Sequence, residues 1–272
     1  MDRPLQFRID PQRVALALAA VAFVLVLLNI GSAWLWADDG LDLVSYKYVN
    51  MFDLDEEESF GTWFSAAILL LAGQLTLLVA RSSKRTGDGL WVWWFVLGLG
   101  FHYLSIDEVA GMHEFLNTYG EELLGISERW TTYALVGVVL LTVAYVPFLQ
   151  ALRRQGRTRT LALLILSGGL YVGGAVGAEW LSPSDPAAFS RVAYAVGWVS
   201  LEEGLEMAGV ILVIYGLLDA LRGEPTNTLR AELGTHARPD PVEADGKRAS
   251  SRPPESARPR APELTGSLRQ GV

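Results

Sequence analysis

Three stretches of the chain place ionisable side chains inside or beside apolar surroundings. FHYLSIDEVAGMHEF holds His102, Asp107, Glu108, His113 and Glu114, and VSLEEGLEMAG holds Glu202, Glu203 and Glu206. Glu179 closes a glycine-rich apolar run. Ionisable groups at membrane depth are costly and usually face a bundle interior or a cavity. Several carboxylates gathered in low dielectric must be protonated, paired, hydrated or bound to a cation. Carboxylate plus imidazole suits a divalent ion of the Mn, Fe or Zn type, and helix bundles hold such ions between facing Glu and His side chains. Candidate metal ligands are therefore Asp107, Glu108, His113, Glu114, Glu179, Glu202, Glu203 and Glu206. A metal held there would activate water or oxygen, with a spare carboxylate carrying the proton. The same acids would serve a carrier by binding and releasing protons or cations.

No signature accompanies this chemistry. Neither His102 nor His113 has a Glu three residues before it, there is no H-E-x-x-H, and the absence of cysteine excludes thiolate nucleophiles, thiolate metal sites and disulfides. Each group also has an ordinary reading. Asp107, Glu108 and Glu114 fit an exposed helix end equally well. His113 alone reads as an interfacial histidine, His102 as either a hydrogen-bonded packing residue or a ligand, and His236 belongs to the tail. Glu202, Glu203 and Glu206 are harder to dismiss, because VAYAVGWVS and GVILVIYGLL on either side are apolar. The run Asp53, Asp55, Glu56, Glu57 and Glu58 reads as a solvated acidic loop; it lacks the ligand spacing of an EF-hand.

Helical spacing limits what one element can aim at a point. At about 100° per residue, Glu202 and Glu206 lie about 40° apart on one face. Asp107 and Glu114 lie about 20° apart if a helix runs unbroken through Gly111, with His113 about 120° away from Asp107. A shared site thus needs several helices, or a break near Gly111.

The elements that must position these groups are legible in the apolar blocks. Val14–Trp36, Phe60–Ala80, Leu90–Ser105, Thr131–Leu149, Leu161–Leu181 and Val192–Leu218 are mostly close to the roughly 20 residues that cross a bilayer as a helix. The first block is longer than the roughly 7–15-residue apolar core of a cleavable signal and is read as a retained span. Basic residues mark alternate connections: Arg3, Arg8 and Arg13, then Arg81, Lys84 and Arg85, then Arg153, Arg154, Arg157 and Arg159. The first connection has Lys47 as its only cation among many acids. The positive-inside rule then predicts an all-α polytopic bundle of six transmembrane helices with both termini inside, and the acidic segments near the outer face. Trp34, Trp36, Trp63, Trp91, Trp93, Trp94, Trp130 and Trp180 fall near span ends, where indole prefers the interface.

The chain has 272 residues and a net charge of −8, but the charge is unevenly spread. Residues 222–272 carry nine Lys/Arg against seven Asp/Glu, whereas 1–221 carry 13 against 23. The expected division is a transmembrane domain over 1–221 and a disordered cytoplasmic tail over 222–272, too poor in apolar residues to offset ordering entropy. Gly169, Gly173 and Gly177 recur every four residues, a small-residue stripe for close approach of another helix or of a second copy of the chain. The lipid bilayer is the one obligatory partner, and no nucleic-acid module is present.

FGTWFS at the second span, LSIDEVAGMHE at the third and EEGLEMAGVILVIYGLL in the sixth resemble a group of bacterial six-span membrane proteins of unassigned function. The resemblance implies a bacterial inner-membrane location for the 1–221 region and brings no ligand set. Two other families do not fit. CAAX-type intramembrane proteases require EExxxR, where this chain has Met207 in EEGLEM, and alkaline-ceramidase-like hydrolases require HxxxH. The leading expectation is a carboxylate–histidine cation site near the outer face, with a proton- or cation-coupled carrier next and an accessory subunit of a membrane complex third. Near the inner side the spans offer only Gln74 and Asp219, which leans against a through-path.

Overall fold

The computed structural model describes residues 9–36, 43–112, 130–181 and 190–222. Every regular element among them is helical. The first apolar block becomes α1 (Pro11–Trp36), and a short α2 (Leu43–Asn50) follows. Ser59, in extended backbone, starts α3 (Phe60–Thr86) by accepting the Thr62 N–H at 3.2 Å on its hydroxyl, an N-cap worth about 1 kcal/mol. Gly87 ends it in the left-handed conformation, its N–H returning to the Ser83 carbonyl. α4 (Trp91–Ala110) and α5 (Trp130–Arg154) follow. α6 (Thr158–Val172) runs on through a π-helical stretch, Gly173–Ala178, into a last turn, Glu179–Leu181. α7 (Arg191–Tyr194) passes through a second π-helical stretch, Ala195–Val199, into α8 (Ser200–Arg222).

Side-chain bonds sort the helix ends into two groups. At one end Arg222, which closes α8, pairs with Asp10 at 3.1 Å and donates to the Ile9 carbonyl before α1. Asp88, between α3 and α4, accepts from Ser83 and from the Leu90 N–H, and pairs with Arg157 at 2.9 Å before α6. Arg159 of α6 meets Asp219 and Tyr215 of α8. This is the basic end. At the opposite, acidic end lie the close of α1, the 51–59 loop, the close of α4 and the start of α8. Successive long helices therefore alternate in direction.

α3 and α8 form the centre. Phe64, Ile68, Leu69, Ala72, Leu75 and Val79 of α3 share one buried core with Met207, Val210, Ile214 and Leu217 of α8. α4 lies antiparallel on α3, where Ser105 donates to the Ala66 carbonyl at 2.8 Å and His102 rests on Gly73. Trp93 and Trp94 join α4 to Tyr145 and Phe148 of α5 by ring contacts of 5.0–6.1 Å. Leu16 and Phe23 of α1, and Leu140, Leu141 and Val143 of α5, face outward and stay exposed. Apolar surface of that extent has no place in water. Five helical segments are long and apolar enough to cross a membrane: Pro11–Leu35, Phe60–Thr86, Gly137–Arg154, Thr158–Ala178 and Val192–Arg222. α4 is not among them, because its tryptophans, His102, Asp107 and Glu108 dilute its apolar content.

The close approach of helices falls one residue beside the expected glycine stripe. A β-carbon added at Gly169 or Gly173 would meet nothing within 4 Å among the described residues. The close approach is made by Gly174 with Gly209 and Gly216: a β-carbon at Gly209 would stand 2.7 Å from the Ser167 carbonyl oxygen and 2.7 Å from the Tyr171 nitrogen. Four-residue spacing defines a stripe but does not say which side of it meets the neighbour. The tail expected from 222 onward lies, apart from Arg222, outside the described residues.

Candidate functional site

The acidic end is assembled around a buried amide. Asn29 of α1 is 0% exposed; its Nδ2 donates to Ser200 Oγ at 3.1 Å and its Oδ1 accepts the Leu54 N–H at 3.0 Å. Ser200 Oγ in turn donates to the Ala195 carbonyl at 2.7 Å, within the π-helical stretch that precedes α8. One side chain thereby ties α1, the 51–59 loop and the start of α8 together, directly before Glu202 and Glu203. The loop itself is folded. Asp53 is buried and accepts the Asp55 N–H, Phe60 N–H returns to the Met51 carbonyl at 2.9 Å, and Leu54 packs on Gly61. Asn29 was not among the expected site residues. The signal was present as the lone amide in the apolar run LVLLNIGSAW, where an unpaired polar group would cost a few kcal/mol.

α4 does break at Gly111. That residue adopts φ 54, ψ 37, and its N–H closes on the Asp107 carbonyl at 2.9 Å, ending the helix one turn past Asp107 and Glu108. The unbroken helix that would have stacked Glu114 over Asp107 is therefore not formed. The Glu57 carboxylate lies against Gly111, whose positive φ itself favours glycine. Of the acidic run only Asp53 is buried; Asp55, Glu56, Glu57 and Glu58 are exposed, as a solvated loop requires. His113 and Glu114, and the side chain of Glu179, lie outside the described residues.

The structure brings the remaining acids into one region and divides them by face. Glu206 turns toward α6, where Gly174 leaves room for it: a β-carbon there would meet the Glu202 backbone carbonyl oxygen at 2.6 Å and Glu206 Cγ at 2.8 Å. Tyr171, one turn earlier on α6, has the carboxylates of Glu206, Glu108, Glu203 and Asp107 within electrostatic reach. Glu203 likewise feels Glu108, Glu202 and Asp55. Asp107 and Glu108 of α4, and all three glutamates of α8, are half-buried. At an effective dielectric near 20, unit charges about 8 Å apart repel by roughly 2 kcal/mol, so the group requires protons, basic partners or a bound cation.

His102 takes no part. Its Nδ1 bonds the Gly98 carbonyl at 2.7 Å and its Nε2 meets Gln74 Nε2 at 2.8 Å, so both ring nitrogens are engaged between α3 and α4. The packing reading of this residue is the one the structure adopts. Among the described residues no three His, Asp or Glu side chains stand close enough together to hold a metal ion by themselves.

No curated protein and no solved structure matches the chain. A family model described as a domain of unknown function, DUF8692, matches residues 15–221, from the first turns of α1 to the last of α8. The chain belongs to the DUF8692 family.

Proposed function

We propose that this is a six-span protein of the bacterial inner membrane, with both termini in the cytoplasm, that binds a cation at the outer end of its bundle. The reading is supported by the half-buried acids of α4 and α8 lying at one end of the bundle, with Asp107, Glu108, Glu203 and Glu206 within electrostatic reach of Tyr171. Asp107, Glu108, Glu202, Glu203 and Glu206 form its described part, and His113, Glu114 and Glu179 are the remaining candidates. α4 serves as the sixth span, since its 20 residues run the length of α3 in the opposite direction. The basic clusters at the other end supply the positive-inside signal. Elemental analysis and thermal unfolding, with and without chelator, test the site. A cation that binds only the folded state contributes about 2.7 kcal/mol at roughly 100-fold saturation. Glu206→Gln, which keeps the shape beside Gly174, should abolish that contribution. Glu58→Gln in the exposed loop should leave it intact. A wild-type protein without metal and without cation-dependent melting would sink the reading.

A carrier of protons is the second reading. It is favoured by the spacing of the described carboxylates, none of which forms a three-ligand group. In that case melting should follow pH and ignore the chelator. The open glycine stripe at Gly169, Gly173 and Gly177 is the surface on which a second copy would pack.

The orientation has its own test. The chain lacks cysteine, so single cysteines report without background. Cysteine at Asp42 or Asp185 should react with an impermeant thiol reagent in intact cells, and cysteine at the exposed Thr86 should not. Reversed labelling would move the acidic end to the cytoplasm.

A further inference from the structure

Among the described residues the buried hydroxyls follow one rule, and one residue departs from it. Thr76 donates to the Ala72 carbonyl, Ser32 to the Asn29 carbonyl, Ser167 to the Leu164 carbonyl and Ser83 to Asp88. Ser65 of α3 is 6% exposed, and its Oγ has no hydrogen-bond partner. It does not even take the carbonyl one turn back, the default for a serine in an apolar helix. A buried hydroxyl left so costs about 1–3 kcal/mol and calls for an unseen partner.

Its position says what that partner is near. Around α3, Ser65 lies within about 20° of Ala72 and of Thr76, both 0% exposed, so it shares the face turned to the bundle interior. Around α8, Glu203 lies within about 20° of Val210 and Ile214, the corresponding interior face of the helix packed against α3. The two helices run in the same direction from a common level. Asn29 bonds both Ser200 and Leu54, and Leu54 packs on Gly61. From Gly61 to Ser65 the rise is about 6 Å and from Ser200 to Glu203 about 4.5 Å. Ser65 and Glu203 therefore reach the same depth. Ser105, bonded to the Ala66 carbonyl, brings α4 to that depth, with Glu108 one turn further out.

We infer that Ser65 is the neutral oxygen ligand of the cation site, and that the cation is a hard, oxygen-bound divalent ion of the Mg²⁺, Ca²⁺ or Mn²⁺ class. The inference rests on the cation reading above and narrows it. Ser65, Glu203 and Glu108 supply a hydroxyl and two carboxylates, and His102 is committed to Gln74 and Gly98. These three ligands are all oxygens, which suits those ions, whereas a site completed by the His113 imidazole would favour Zn²⁺ or Fe²⁺. Water completes the shell where protein oxygens fall short.

The test is thermal unfolding of the full chain in lipid nanodiscs, titrated separately with Mg²⁺, Ca²⁺, Mn²⁺ and Zn²⁺. The variants are Ser65→Ala, Ser65→Thr and Glu203→Gln. One of the three hard ions should raise the melting temperature at a lower concentration than Zn²⁺. Ser65→Ala should need about tenfold more of that ion for the same shift, whereas Ser65→Thr, which keeps the hydroxyl, should stay near wild type. Without ion, Ser65→Ala should melt at or above the wild-type temperature, because it removes only an unsatisfied group. That separates a ligand from a packing residue. If Ser65→Ala titrates like wild type while Glu203→Gln loses the response, the role of Ser65 is overturned and the carboxylate site stands. A response to Zn²⁺ at the lowest concentration overturns the hard-ion class. A wild-type chain indifferent to all four ions overturns the cation reading, and this inference with it.

Discussion

Gly209→Ala is expected to cost about 2 kcal/mol or more, while the same change at Gly169 should cost nothing. At Gly209 the new methyl would meet backbone atoms of α6 at 2.7 Å, the Ser167 carbonyl oxygen and the Tyr171 nitrogen. Backbone cannot rotate out of the way as a side-chain end can, so α6 and α8 must separate along the packed face. Overpacking of this kind costs about 1–3 kcal/mol. Separation would also move Tyr171 and Gly174 away from Glu206, so cation- or pH-dependent melting should weaken in the same variant. At Gly169 the methyl enters open space, and alanine is the better helix former by roughly 0.8–1 kcal/mol. The comparison is read by thermal or detergent-titrated unfolding of the two variants side by side. Equal destabilisation would mean that the Gly169 face is packed too, against a second copy, and a change in oligomeric state for Gly169→Ala alone would say so directly.

Asn29→Leu should be the most damaging single substitution outside the glycine contacts. It keeps the volume roughly constant while removing the acceptor for the Leu54 N–H and the donor to Ser200 Oγ. Each group left unsatisfied in the interior costs about 1–3 kcal/mol, giving an expected loss of roughly 2–4 kcal/mol. A double-mutant cycle with Ser200→Ala separates the hub from simple burial, with a coupling of about 0.5–3 kcal/mol for side chains that share one bond. Additive effects would show that Asn29 and Ser200 act independently. Because the same amide sets the depth of the 51–59 loop against α8, the variant should also become more open to protease between Met51 and Ser59.

Much of the architecture is legible in the sequence alone. Each of the six apolar blocks became part of a helical segment, with ends within a few residues of those expected, except at α3, α4 and α5, where the helix ran about five or six residues further. That followed from the need to satisfy backbone groups internally, which leaves a long apolar segment no other choice. Five of these segments meet the length and apolarity of a membrane span; α4 falls short because its polar residues, the ones that made it interesting, are also those that lower its hydropathy. The 40° relation of Glu202 to Glu206 also held, since it depends only on the pitch of the helix that carries both.

Other features turned on contacts that periodicity does not encode. The sequence could say that Gly111 was a possible break, but the choice between a continuous helix and a left-handed cap was made by the Gly111 N–H closing on Asp107 and by Glu57 lying against it. His102 could have been a ligand or a packing residue until Gly98 and Gln74 took its two nitrogens.

What the sequence by itself determined is an acidic, helical, membrane-suited chain in which carboxylates lie at one end of the spans and basic residues at the other. Composition and spacing are properties of single helices, and each of these conclusions needs only one helix at a time. Only the tertiary structure decided that Glu206 meets α6 at Gly174, that the close-packing glycine is Gly174, and that Asn29 ties the 51–59 loop to the start of α8. Those are relations between helices, set by rotation of each about its own axis, and a rotation is chosen by the neighbour it packs against.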